Sequence, residues 1–182
     1  MSSARLFVCF CLVVGAAGCP PVSRRGTAYN VRVLSGGRLV IDKSPKKIYL
    51  LYFWRTQIKK GARQLSYLER LHKTYGPRGL KVVGINQDDV RRRSLARSLI
   101  ARARLSFPHV SWGATRIRRE LNRQSNICHA VILHKGKVLQ QGSLCWPDGR
   151  QRLDGVLEEL FAPRGSVGPP PSGDTGGMAT PE

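Results

Sequence analysis

Acidic residues are scarce in this chain. Eleven Asp and Glu stand against 31 Lys and Arg in 182 residues, a formal charge of +20, so the surface attracts anionic polymers, acidic partners or anionic lipid headgroups. Aromatic residues are missing where nucleic-acid binding would need them. The run Arg91, Arg92, Arg93, Arg97, Arg102, Arg104 has none interleaved, which removes the platform on which bases stack. That run reads as a solvated helix face, with a nucleic-acid site as the disfavoured alternative. Long apolar runs are missing too. The stretch Leu6 to Ala17 falls well short of the roughly 20 residues a lasting transmembrane helix needs. Cysteine is sparse: of five, three precede residue 20, and Cys128 and Cys145 remain. Two is the number for one disulfide.

What is present is enough for one domain. Hydrophobic residues make up 41% of the chain, near the globular norm, which argues against intrinsic disorder. The amino terminus has the make-up of a targeting segment, with Arg5, the apolar stretch, and small residues Gly15 to Gly18 leading to Cys19. Ala16-Ala17-Gly18-Cys19 resembles the lipobox of bacterial lipoproteins, although Ala16 replaces the usual Leu or Val. The resemblance implies cleavage after residue 18 and acylation of Cys19, which would hold the protein at a membrane. A plain secretory peptide cut nearby is the alternative. Either way the mature protein is expected outside the cytoplasm, in the periplasm or at the outer membrane. Residues 1–18 are thus read as signal peptide, 19–26 as a tether, 27–162 as the folded domain and 163–182 as a Pro/Gly-rich tail too polar to order itself.

Within the domain, Tyr29 to Val33 and Arg38 to Ile41 flank Ser35-Gly36-Gly37 and predict a β-hairpin. Ile48 to Trp54 is continuously apolar, as in a strand covered on both faces. Leu65, Leu68, Leu71 and Tyr75 recur at helical spacing, and Gly76-Pro77 is expected to end that helix. Leu80 to Asn86 predicts a second buried strand. A helix then opens at Asp88-Asp89, whose carboxylates are expected to cap it, with Val90, Leu95, Leu99 and Ala103 as its apolar face. Phe107 to Val110 suggests a short edge strand, Ile117 to Leu121 a helix, and Ala130 to Leu133 with Val138 to Gln141 a second hairpin. A last helix is expected from about Gly149 to Phe161. Strand, helix, parallel strand, then hairpin and helix make an α/β protein with a mixed central sheet, flanking helices and an amino-terminal hairpin extension.

Tyr52-Phe53-Trp54-Arg55-Thr56 running into Gln57 to Leu65 resembles the active-site strand and helix of the thioredoxin-like exported disulfide reductases, the TlpA or redoxin branch. Tyr75-Gly76-Pro77-Arg78-Gly79-Leu80-Lys81-Val82-Val83-Gly84-Ile85-Asn86 is similar to that family's next strand. The resemblance spans about residues 27 to 162 and implies a thioredoxin-like fold. It also exposes two departures. Ile58 and Gly61 stand where the family's Cys-x-x-Cys would be, and Cys128 stands at the place of its cis-proline. Neither Ile58 nor Gly61 can supply a thiolate, and the loop before Cys128 is expected to be trans.

Pairing of Leu133 with Val138 would set Cys128 opposite Ser143, with Cys145 one diagonal step away and within reach of a bridge. A structural disulfide, two buried free thiols and a labile catalytic disulfide are the readings of this pair. No metal or other cofactor is expected, because Cys128 and His129 point to opposite faces of a strand and His134 alone makes no site. His72 and His109 read as packing residues without a carboxylate partner. Lys59 and Lys60 at a helix start form a possible anion site, with solvated lysines as the alternative. Three functions follow: a non-catalytic envelope lipoprotein that binds a protein or anionic partner, a thiol-disulfide oxidoreductase using Cys128 and Cys145, and a basic module for anionic polymers or headgroups.

Overall fold

A computed structural model describes residues 28–42, 47–111 and 115–163. The signal segment, Cys19, the tether and the tail from residue 164 lie outside the described residues. Strands β1 (Tyr29–Arg32) and β2 (Arg38–Ile41) pair antiparallel as a separate hairpin. Then follow β3 (Ile48–Trp54), α1 (Lys59–Tyr75), β4 (Leu80–Asn86), α2 (Arg93–Arg102), β5 (His109–Val110), α3 (Thr115–Leu121), β6 (His129–His134), β7 (Lys137–Ser143) and α4 (Pro147–Phe161). The main sheet has the order β5-β4-β3-β6-β7. β4 runs parallel to β3 and β5, whereas β6 is antiparallel to β3 and β7. The two crossovers and the terminal hairpin are those expected from the apolar patterning.

Alternation along β3 divides its side chains between two cores. Leu50, Tyr52 and Trp54 join Leu65 and Leu68 of α1, Ala96 of α2 and Leu153 and Leu157 of α4. Tyr49, Leu51 and Phe53 join Ile117 of α3 and the hairpin residues Tyr29, Val31 and Ile41. The central strand is therefore apolar at every position because it is covered on both sides. The hairpin also shelters the sheet edge. Leu34 N–H donates to the His109 carbonyl at 2.7 Å, Ser111 N–H donates to Arg32, and Val33 bridges to Val110.

The first helix ends at Gly76-Pro77 as expected: Tyr75 is its last residue and Gly76 its cap, and a 3-10 turn carries the chain to Gly79, where φ is +108°. Pro77 is tolerated in the first turn of that element because its missing N–H has no partner to lose there. Three local expectations need correction. First, α2 begins only at Arg93, after a 3-10 turn over Val90–Arg92. The extra turn rotates the helix, so Val90 and Leu95 are exposed, Ala103 falls past its end, and Ala96, Leu99 and Ile100 pack inward.

Secondly, Asp89 accepts from Arg92 N–H as a cap, but Asp88 does not cap. It is buried and accepts from Thr56 N–H at 3.0 Å and Asn86 Nδ2 at 2.8 Å, tying the end of β4 to the loop after β3. Lastly, Leu133 pairs with Val138 but Ile132 pairs with Gln140, so a bulge at Leu139 shifts the register. His129, rather than Cys128, lies opposite Ser143, and the Cys128 carbonyl accepts from Leu144 N–H at 2.8 Å.

Candidate functional site at the amino end of α1

The two departures from the family pattern meet in space. Ile58 occupies the amino cap of α1 in extended geometry, and its hydrocarbon side chain accepts no hydrogen bond from the first turn. It is 36% exposed. Lys59 and Lys60 follow it, adding positive charge to the positive end of the helix dipole. Lys60 Nζ lies 4.7 Å from the ring centroid of Trp146, a cation–π contact joining the starts of α1 and α4. Trp146 is itself 60% exposed.

Gly61 is buried one turn deeper. A Cβ at this position would sit 3.4 Å from Cys128 Sγ, 3.7 Å from the Tyr52 hydroxyl and 3.8 Å from Ile127. Its carbonyl accepts a 3.0 Å hydrogen bond from Tyr52, whose phenol is raised well above its ordinary pKa by burial. Cys128 and Cys145 are joined by a disulfide, with Cα atoms 5.7 Å apart. The bridge closes in spite of the register shift because Cys145 lies just past the end of β7, where the chain turns toward α4. Cys128 is 3% exposed, whereas Cys145 is only half-buried and immediately precedes the α4 cap at Trp146.

Cys128 also has φ +62°. The left-handed region costs a non-glycine residue about 1–2 kcal/mol, so packing and the bridge hold this backbone in place. The described residues contain no cis peptide bond, and the loop into Cys128 is trans. His129 turns to the opposite face, against Phe53. Among the described residues, no three His, Cys, Asp or Glu side chains converge as a metal site would require.

His109 packs against Trp54 and Phe107, with ring centroids 5.6 and 4.4 Å away. Burial drives its pKa down to about 4 against the opposing pull of Glu69. Glu69 acts on His109 only through space: neither ring nitrogen has a hydrogen-bond partner among the described residues, and the histidine is a packing residue as expected. Glu69 reaches this region from α1 and accepts from Ser106 N–H at 2.8 Å and Ser106 Oγ at 2.7 Å. His72 makes only a loose edge contact with Phe107.

No protein-family model matches the chain, and no curated protein matches it. Solved structures do. A thiol:disulfide interchange protein from Bacteroides sp. superposes with a TM-score of 0.59 at 17% identity, over 78% of this chain and 90% of that one. A secreted Mycobacterium tuberculosis disulfide oxidoreductase homologous to E. coli DsbE gives 0.56 at 16%, over 72% and 96%. StoA from Bacillus subtilis gives 0.53 at 16%, over 65% and 88%. The fold is thioredoxin-like.

On this thioredoxin-like frame, Ile58, Lys59, Lys60, Gly61, Cys128 and Cys145 gather at one end of the molecule. The linear sequence did not reveal that Cys128 lies against Gly61, nor that Tyr52 supports that turn from below. The mid-strand hydroxyl of Tyr52 was the available signal, since a buried phenol must find a partner. No helix among the described residues is long and apolar enough to cross a membrane.

Proposed function

We propose that this protein is an exported thioredoxin-like domain, held at a membrane through Cys19, that exchanges disulfides through Cys128 and Cys145. The observation carrying this reading is the 3.4 Å approach of Cys128 Sγ to the position-61 side-chain site. It gathers the surviving sulfur pair beside the turn where the resembling family keeps its cysteines. In the forward step, a thiolate of a partner dithiol attacks the half-exposed Cys145 Sγ. The Cys128–Cys145 bond breaks, and Cys128 leaves as a thiolate beside the positive end of α1. The partner's second thiolate then attacks the mixed disulfide and releases Cys145. The partner is oxidised to its disulfide, the domain gains two electrons, and the two partner protons end on Cys128 and Cys145 or in solvent. The reverse sequence reduces a partner disulfide.

Insulin reduction with dithiothreitol as electron donor tests this directly. Turnover above the uncatalysed rate, lost in Cys145→Ser and Cys128→Ser, is the expected result. A second reading, a non-catalytic domain that binds an acidic protein partner, is favoured by the exposed Trp146 and Ile58 beside Lys59 and Lys60. It predicts a disulfide that resists millimolar glutathione and no turnover in any variant, which would overturn the exchange reading.

A further inference from the structure

Beside this site, but independent of its cysteines, lies a second constellation at the carboxyl ends of β3 and β4. We infer that it binds a small zwitterion of the α-amino carboxylate type. A cavity of about 420 Å³ is lined there by the polar residues Arg55, Gln57, Gln87, Asp88, Asp89 and Arg92 together with Val90, a size in the range of small-molecule sites. The carboxyl ends of parallel strands are where open α/β sheets commonly place ligands.

Gln87 is the residue that calls for an occupant. It is 4% exposed, yet neither its side-chain oxygen nor its nitrogen has a hydrogen-bond partner among the described residues. Buried amides are almost always satisfied, by protein, water or a ligand, so this pair of unmet groups leaves a donor and an acceptor available to an occupant. Arg55 adds a buried Nε in the same condition.

The remaining residues define the chemistry. Two guanidinium groups and two carboxylates line the cavity, so its formal charge is balanced. Gln57 lies against Arg92, and with its amide turned so that the oxygen faces the guanidinium it accepts from both terminal nitrogens. Asp88 is engaged by Thr56 and Asn86, whereas Asp89 uses one oxygen to accept from Arg92 N–H. A multivalent anion would be repelled by both aspartates, and a simple cation by both arginines. A molecule carrying both charges satisfies the set. Its carboxylate matches the planar fork of Arg55, its ammonium matches Asp89, and the Gln87 amide donates and accepts between them.

The test titrates the full chain, disulfide intact, with free L-amino acids at pH 7, and in parallel with acetate, ethylamine and inorganic phosphate. Amide chemical shifts around Gln87 and calorimetry are the readouts. Saturable binding of one or more amino acids is expected, with each single-charge compound at least tenfold weaker. Gln87→Leu and Arg55→Gln should weaken binding tenfold or more, whereas Cys145→Ser should leave it unchanged. If Gln87→Leu fails to fold, Asp89→Asn and Arg55→Lys carry the same test. Absence of any saturable shift, meaning a cavity filled by water alone, would overturn the inference. Equal affinity for acetate or phosphate, or unchanged binding in Arg55→Gln, would do the same.

Discussion

Disulfide exchange requires the domain to remain folded in both redox states, and the size of the closed loop sets how severe that requirement is. Cys128 and Cys145 are 17 residues apart. On the chain-entropy model a loop of this size stabilises by about 3 kcal/mol at 25 °C, by restricting the unfolded chain. Domains of this kind have about 5–15 kcal/mol in total, so reduction should leave a folded but weakened protein. The core supports this expectation: Leu50, Leu65, Leu68 and Leu157 are fully buried in a cluster of which Cys128 is one member among many apolar side chains. Urea unfolding followed by circular dichroism, with and without dithiothreitol, reads the difference. Stability extrapolated to water should fall by about 3 kcal/mol, and the slope should rise, because the unfolded chain freed of its cross-link exposes more surface. Cys128→Ser/Cys145→Ser should behave like the reduced wild type. Two results would refute the reasoning: complete unfolding on reduction, which no exchange cycle tolerates, or a loss below about 0.5 kcal/mol.

Gly61→Ala should be tolerated, because its Cβ would meet neighbours only at van der Waals distance, whereas Gly61→Leu should cost about 1–3 kcal/mol by forcing Cys128 and Tyr52 apart; thermal melts compare the two. His109 resists protonation in the fold, with its pKa lowered from 6.5 to about 4 by burial. The unfolded chain therefore binds the extra proton first, and stability should drop by roughly 3 kcal/mol as pH falls from about 6.5 to 4. His109→Phe should flatten that part of the pH profile in equilibrium unfolding. A double-mutant cycle on Lys60→Ala and Trp146→Ala should return a coupling of about 0.5–1 kcal/mol, as for an exposed cation–π pair. Asp88→Ala should destabilise by about 1–3 kcal/mol through the orphaned Thr56 and Asn86 donors, visible as faster exchange of the Thr56 amide.

The strands and their pairing were legible because burial leaves a direct trace in composition. Ile48 to Trp54 has no polar break since both of its faces are covered, and the glycine turn at residues 36 and 37 announced the first hairpin. Phase and register were harder to read. Whether α2 begins at Asp88 or Arg93 depends on one 3-10 turn that no residue type marks, and that turn decides which leucines face inward. The bulge at Leu139 likewise leaves no trace in an apolar-polar pattern, although it moves Cys128 by a full position. The site was half-visible. Ile58, Gly61, Cys128 and Cys145 were identifiable one by one, but the contact between Gly61 and Cys128 joins residues 67 positions apart. Gln87 attracted no attention because the want of a partner belongs to a folded environment and to no sequence pattern.

The placement of β3 bears on how the chain reaches this state. It is the most apolar strand, and its two neighbours arrive at different times. β4 follows after one helix, but Ile48 pairs with His134 of β6, which enters much later from the amino terminus. Until then one edge of the central strand has open backbone donors and acceptors, the condition in which chains pair with one another. Nascent or truncated forms ending before residue 129 should therefore aggregate, and a holding chaperone that covers β3 would suppress this. The terminal hairpin β6–β7 completes the fold by closing the edge that the first half of the chain leaves exposed.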